Sequence, residues 1–170
     1  AETHEVTNQP PSLDGANLWR IDLPLQQWAL RYGAGWAHAR IDTYGALAGG
    51  PLMAAGFAAN RSKPVFSSHD RYGHRLDLVE FHPAYHELMR TAVEHGLPSL
   101  PWVQPQAGAH VARAAMTYMH TQAEAGSGCP LTMNFACVPA LRLQPDLAAQ
   151  WLPKVLATEY DPRNGGRAHK

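Results

Sequence analysis

Residues 107–141 read AGAHVARAAMTYMHTQAEAGSGCPLTMNFACVPAL, and their pattern sets the fold class. From Val111 to Ala125 nearly every position is apolar or small, and the polar exceptions Arg113, Thr117, His120 and Glu124 recur at intervals of three and four. Such spacing draws one narrow polar stripe along a helix. A surface helix would carry a broad charged face, so this one is predicted to be central, with other helices around most of its circumference. Gly126, Ser127 and Gly128 stop it, and Pro130 suits the first position of a second helix because the N–H it lacks would be unsatisfied there anyway. That second helix, with Leu131, Met133, Phe135, Cys137, Val138 and Leu141, is nearly all apolar and is predicted to be buried. Arg113 and Glu124 then need partners, because an unpaired buried charge is strongly destabilising. Structural salt bridges are the expectation.

Around this pair, 170 residues make one domain with a single sizeable core. A hydrophobic share of 45% against 16% charged residues makes it globular rather than disordered. Fourteen basic residues balance fourteen acidic ones, so this chain alone has no general attraction for DNA or an anionic membrane. Cys129 and Cys137 lie in or beside one helix, about 12 Å apart at its rise per residue, which is beyond disulfide reach. Both should be reduced. No signal peptide opens the sequence and no apolar run is long enough to span a bilayer, so the cytoplasm is the expected compartment.

Taken in order, residues 1–12 are polar, end in Pro10-Pro11 and read as an extended arm. Asp22 caps a helix with Pro24 in its first turn and Gly33 at its end, with Leu25, Trp28, Ala29 and Tyr32 on one face. An alanine-rich helix aligning Ile41, Tyr44 and Ala48 breaks at Gly49-Gly50-Pro51, and a further arm with Leu52, Met53, Phe57 and Asn60 runs to about Arg61. Gly45, Gly49, Gly50 and Gly56 weaken these helices, which is best offset where helices approach closely. The period changes at 64–81, where Asp70 to Gly73 suits a turn and Arg75, Asp77, Val79 and Phe81 alternate. This predicts a small β-hairpin, serving as a flap or an inter-subunit contact. Pro83 starts a helix with the stripe Tyr85, Leu88, Met89, Ala92, closed by Gly96. Leu97 to Pro105 is expected to be an extended connection held down by Trp102. Pro145 and Asp146 open a last helix with Leu147, Trp151 and Val155 inward, interrupted at Pro153. Residues 13–158 form the helical domain, and 159–170 a polar linker.

Chemistry-bearing constellations are few. His82 and His86 have a metal-gripping spacing, but His82 precedes Pro83 and belongs at the cap, off the helical face, and the motif lacks the glutamate of a zinc protease. A metal-dependent hydrolase is a rival reading, with no metal expected. Cys129 beside a helix N-terminus has no base nearby, since His120 lies more than two turns back on another helix, so a buried, inert thiol is expected. Ser127 follows no strand that would make a nucleophile elbow. The glycines at 45, 49 and 50 follow no strand either, so no dinucleotide fingerprint is present.

HVARAAMTYMHTQAEAGSGCPLTMNFACVP resembles the N-terminal helical domain of acyl-CoA dehydrogenase-family flavoproteins, and specifically their alkylation-response branch, AidB and its relatives. THEVTNQPPSLDGANLW near the start, GAGW at 33–36 and DRYGHRLDLVEFHPAYHELM at 70–89 match the same branch in the same order, so the similarity spans essentially the whole chain. The resemblance implies an all-α, up-and-down helical bundle with one small β-hairpin. It implies a parent that uses FAD, takes acyl-CoA-type substrates, forms homotetramers and is associated with alkylation stress and double-stranded DNA. In the family the catalytic glutamate, the principal flavin contacts and the DNA surface lie in later domains, so no catalytic or cofactor residue is assigned here and the chain alone is expected to be inactive. The helix after the small-residue turn runs beside the acyl chain, which makes Thr132, Met133 and Phe135 candidates for pocket lining, with Ser127 at the mouth. The competing reading is a stand-alone helical interaction module.

Overall fold

The structure is a computed structural model that describes residues 3–164. A short helix α1 (Leu18–Ile21) leads into α2 (Leu23–Arg31), and a single 3₁₀ turn (Ala34–Ala37) leads into α3 (His38–Gly49) and α4 (Pro51–Arg61). The hairpin strands β1 (Val65–His69) and β2 (Arg75–Glu80) follow, then α5 (Pro83–Glu94), one turn α6 (Leu100–Val103), α7 (Ala109–Ala123), α8 (Gly128–Arg142) and α9 (Pro145–Val155). This is the mostly helical fold with one small antiparallel sheet that the sequence implied. No helix among the described residues is long and apolar enough to cross a membrane.

Local chemistry sets the boundaries. The Asp22 carboxylate accepts the Leu25 amide at 2.9 Å to begin α2, and Gly33 leaves it at φ 87°. Nδ1 of His82 accepts the Ala84 amide at 3.1 Å to begin α5. At the far end of that helix Gly96, at φ 78°, lets the Leu97 amide reach back to the Ala92 carbonyl. In the hairpin turn the Asp70 carboxylate accepts the amides of Tyr72 and His74, and Phe66 pairs with Val79 across the strands.

α7 is central, packing on α3, α4 and α6. Its core side brings Ala112, Ala115, Met116 and Met119 against Ile41, Tyr44 and Ala48 of α3, all buried. Glycines admit the closest approaches. A Cβ at Gly49 would collide with the Ala16 carbonyl, and one at Gly56 with the carbonyl of Ala123 on α7. These are the close contacts that offset glycine's poor helix propensity.

Several expectations are corrected. Leu97 to Pro105 is not extended: Leu100 to Val103 coil into the α6 turn behind the cap residue Ser99, and Leu97, Ser99 and Leu100 are buried. α8 is not a buried helix, since only Leu131 and Val138 are buried, and Pro130 sits in its third position rather than its first. In α9 no residue is fully buried, Leu147 is exposed, and Pro153 lies inside the helix, which runs on to Val155. Proline there leaves the carbonyl of Ala149 without its helical donor, a loss tolerated because Ala149 is exposed to solvent. On α2, Trp28 and Tyr32 share a face as their spacing implies, but that face is exposed and the rings stack on each other at 5.7 Å. Residues 3–12 carry no helix or strand and are exposed. Of the segment 159–170, residues 160–164 return to the body, where Tyr160 bonds His86 and the Asn164 amide donates to the Val79 carbonyl. Residues 165–170 lie outside the described residues.

Candidate functional site

The α7 to α8 junction holds the described residues with the most built-in polar chemistry. His120 sits fully buried in the last turn of α7. Its Nδ1 is 2.7 Å from the phenol of Tyr44 on α3, and its Nε2 is 2.8 Å from the Ser127 hydroxyl in the turn. The Ser127 hydroxyl donates to the Glu124 carbonyl at 3.2 Å, which fixes the order of protons along the line. With its hydrogen committed there, the Ser127 oxygen accepts from Nε2–H, and Nδ1 accepts from the Tyr44 hydroxyl. Burial drives the His120 pKa down to about 4, so the ring is neutral, as this order requires. Burial also pushes the Tyr44 phenol well up, and it lowers that of His95, whose ring stands edge-on to Tyr44 at 5.2 Å.

Glu124 caps the same turn. Its carboxylate accepts the Gly126 amide at 2.8 Å and the Ser127 amide at 2.5 Å. Burial pushes the Glu124 carboxyl up, but the Ser127 and Gly126 amides outweigh it and hold the group below its ordinary value. No salt bridge involves Glu124 or Arg113 among the described residues, which corrects the expected ion pairs. Arg113 instead donates from Nε to the Leu97 carbonyl at 2.7 Å and lays its guanidinium 3.7 Å above the Phe135 ring. The stripe therefore meets backbone and an aromatic face rather than opposite charge. Between residues 95 and 145 Glu124 is the only carboxylate, so α6 to α8 have no acidic side chain to spare.

One sequence detail explains how α8 is held at its middle. Pro139 has no N–H, so the carbonyl of Phe135, four residues earlier, loses its helical donor. The indole N–H of Trp102 takes that carbonyl at 3.0 Å, and its ring stacks on Phe135 at 4.9 Å, with His110 edge-on to both. Farther round, Asn134 donates to the Val155 carbonyl of α9 at 2.8 Å.

The four pocket candidates separate. Ser127 is buried with its hydroxyl spent on His120 and Glu124. Thr132 is exposed, Met133 is 64% exposed, and Phe135 is half-buried under Arg113. A recess of about 230 Å³ does touch α8, but through Pro130, Leu131 and Asn134, facing Met89, Val93 and Tyr160. A larger one, about 370 Å³, lies between Phe81, Tyr85, His86 and residues 160–164. The candidates line neither. His82 and His86 do not converge: one caps α5 and the other bonds the Tyr160 phenol at 2.7 Å. No group of three metal-ligating side chains occurs among the described residues. Cys129, expected to be buried, is exposed, and Cys137 is half-buried, with its thiol donating to the Asn134 carbonyl. Sequence reasoning noted His120 on its stripe and Tyr44 in its core but not their contact. The signal available in the sequence was a histidine on the stripe of a helix predicted to be central, where its ring nitrogens need hydrogen-bond partners.

Comparison with known proteins places this geometry. Residues 8–162 match the family model of the adaptive response protein AidB N-terminal domain, and the chain belongs to that family. It is 39% identical over 163 residues to the putative acyl-CoA dehydrogenase AidB of Escherichia coli strain K12, covering 94% of this chain and 30% of that protein. Among solved structures it is similar to the apo form of Bd2924, with a TM-score of 0.78 and 25% identity over 88% of this chain and 31% of that one. It also shares its fold with Caenorhabditis elegans ACDH-11, solved in complex with C11-CoA, with a TM-score of 0.75 and 17% identity over 96% of this chain and 30% of that one. The chain thus spans about 30% of the length of the curated relative.

Proposed function

We propose, with membership of the AidB N-terminal family as the premise, that this chain is the helical N-terminal part of a longer FAD-dependent oxidoreductase of the acyl-CoA dehydrogenase type. Within it, residues 13–158 are the helical domain and 159–170 lead towards the flavin-binding part. The observation that carries the reading is the outer side of α8. It is apolar in composition, pinned from within at Ser127, Phe135 and Asn134, and still exposes Met133 and, just past its end, Leu143 at 84%. A helix held rigidly with its apolar side uncovered is suited to form one wall of a site completed by other parts of a protein. Thr132 and Met133 are the proposed contacts to an acyl chain or to the domain that holds the flavin, and Phe135, its ring between Trp102 and Arg113, is proposed to back that wall. Ser127 acts from behind, setting the turn.

The residues present do not make a flavin site by themselves. The glycines that might cradle a phosphate, Gly45 and Gly49, have the space a Cβ would fill taken by this chain's own Trp19 and Ala16. The 170-residue chain is therefore proposed to be inactive alone. A DNA contact, if the parent makes one, is placed outside this chain, whose formal charges sum to zero. A cytoplasmic homotetramer is the proposed form of the parent.

The test is Thr132→Leu in the longer flavoprotein. The expected result is unchanged flavin content with turnover shifted towards shorter acyl-CoA substrates. Retained flavin with an unmoved chain-length profile sinks the pocket assignment. Turnover of an acyl-CoA by the 170-residue chain with added FAD refutes the claim of inactivity.

A further inference from the structure

Three buried polar side chains from three separate places in the sequence meet in one line, and nothing in the proposed chemistry uses them. Tyr44 belongs to α3, His120 to the end of α7 and Ser127 to the turn before α8. All three are almost fully buried, and their contacts of 2.7 and 2.8 Å are those of well-formed hydrogen bonds. A core of this size would close equally well with apolar residues in their place, since a buried polar group gains little net stability even when satisfied. What such a line does provide is geometry. Each bond fixes a distance and a direction, and a half-satisfied line is worse than none.

We propose that Tyr44, His120 and Ser127 form a one-directional hydrogen-bond relay that positions the α7 to α8 turn, and with it the wall of α8 bearing Thr132 and Met133. His120 is thereby a positioning residue. Its link to the acyl pocket rests on the reading of α8 given above, but the relay itself does not. The direction follows from its end: the Glu124 carbonyl can only accept, so Ser127 donates to it, Nε2–H donates to Ser127, and Tyr44 donates to Nδ1. Only the neutral Nε2–H tautomer satisfies every group. A second proton on His120 would face the Tyr44 hydroxyl and leave that hydroxyl without its acceptor. Of the groups around the ring only the Glu124 carboxylate favours that proton, and burial outweighs it. Tyr44 and Ser127 are neutral, and His95 against Tyr44 is itself shifted towards neutrality. The Glu124 carboxylate is engaged with two amides. Glu124 thus serves the turn twice, through its carboxylate on the amides of 126 and 127 and through its carbonyl as the terminus of the relay.

A relay of this kind makes a testable claim about residues that do not touch. Tyr44 bonds nothing in the turn, yet Tyr44→Phe removes the donor that holds the ring's tautomer. The experiment labels histidine with ¹⁵N in the 170-residue chain to read the His120 tautomer, and follows amide hydrogen exchange at residues 126–133. The expected result is an Nε2–H signature that persists from pH 8 to pH 5, and exchange at 126–133 accelerated at least several-fold by Tyr44→Phe, comparable to the effect of Ser127→Ala. Glutamine can accept with its oxygen and donate with its nitrogen, so His120→Gln should restore most of the protection, whereas His120→Leu should not. An Nδ1–H tautomer, a turn indifferent to Tyr44→Phe, or leucine protecting as well as glutamine each overturns the relay. If His120→Leu does not fold, the Tyr44→Phe and glutamine results still decide. Because every readout is taken on this chain, failure here is distinct from failure of the pocket reading, which Thr132→Leu tests.

Discussion

α7 and α8 are fifteen residues each, adjacent in sequence and similarly rich in apolar side chains, but they end up in opposite environments. α7 buries seven residues, including a histidine, whereas α8 buries two. Composition therefore does not decide burial in this domain. What differs is the availability of neighbours. α7 has α3, α4 and α6 around it, while α8 has α9 alongside and only sparse contact with α5 and α7. The polar side chains follow the same division. Arg113 and His120 of α7 are matched inside the chain, on a carbonyl, a ring and a relay, whereas Thr132 of α8 is exposed.

The sharpest way to break this contrast is to delete the same atoms from both helices. Met116→Ala, at the fully buried centre of α7, should destabilise the chain by about 3–4 kcal/mol in urea unfolding, through lost burial plus the cavity left behind. A value under about 1 kcal/mol would mean that α7 is not the packed centre.

Acid should weaken the α7 side next. His120 has its folded pKa depressed from 6.5 to about 4, so the unfolded chain binds more protons in that interval and stability falls as pH drops through it. The full depression corresponds to about 3 kcal/mol between pH 6.5 and 4. Unfolding free energies measured at several pH values should show this slope, and it should flatten in His120→Gln. Glu124, also held below its ordinary value, adds a loss in the same direction at the acid end of the range. A smaller effect is expected from Glu124→Ala, which leaves the amides of Gly126 and Ser127 uncapped. About 1–2 kcal/mol should be lost, with the change in hydrogen exchange confined to the turn.

At the bottom of the scale, Met133→Ala on the exposed side of α8 should change the stability of this chain by less than about 0.5 kcal/mol. A loss as large as that of Met116→Ala would mean that something in this chain already covers α8, and the proposed wall would be gone.

Much of the fold was legible in the residues themselves. Asp22 and His82 as caps, Gly33 and Gly96 as helix ends, the break at Gly50-Pro51 and the hairpin turn at Asp70 were all readable, because each depends on contacts within a few residues. The stripe Ile41, Tyr44, Ala48 was legible for the same reason, since periodicity is a local property. The coil at Ser99 to Val103 was misread as extended because its prolines suggested a connector. Pro101 in the first turn of α6 meets no objection, since the N–H it lacks is not needed there.

The sequence by itself thus determined most of the helical segments, several of their caps and which side chains share a face. Only the tertiary structure decided which of those faces are covered, and by what. Arg113 found a carbonyl sixteen residues back and the ring of Phe135 rather than a carboxylate. The gap left by Pro139 is filled by Trp102, thirty-three residues away from the carbonyl it takes. His120 meets Tyr44 across a separation of seventy-six. Helix period and capping are fixed by bonds among near neighbours, whereas a partner at such separations is set by how whole helices pack, which no local pattern encodes.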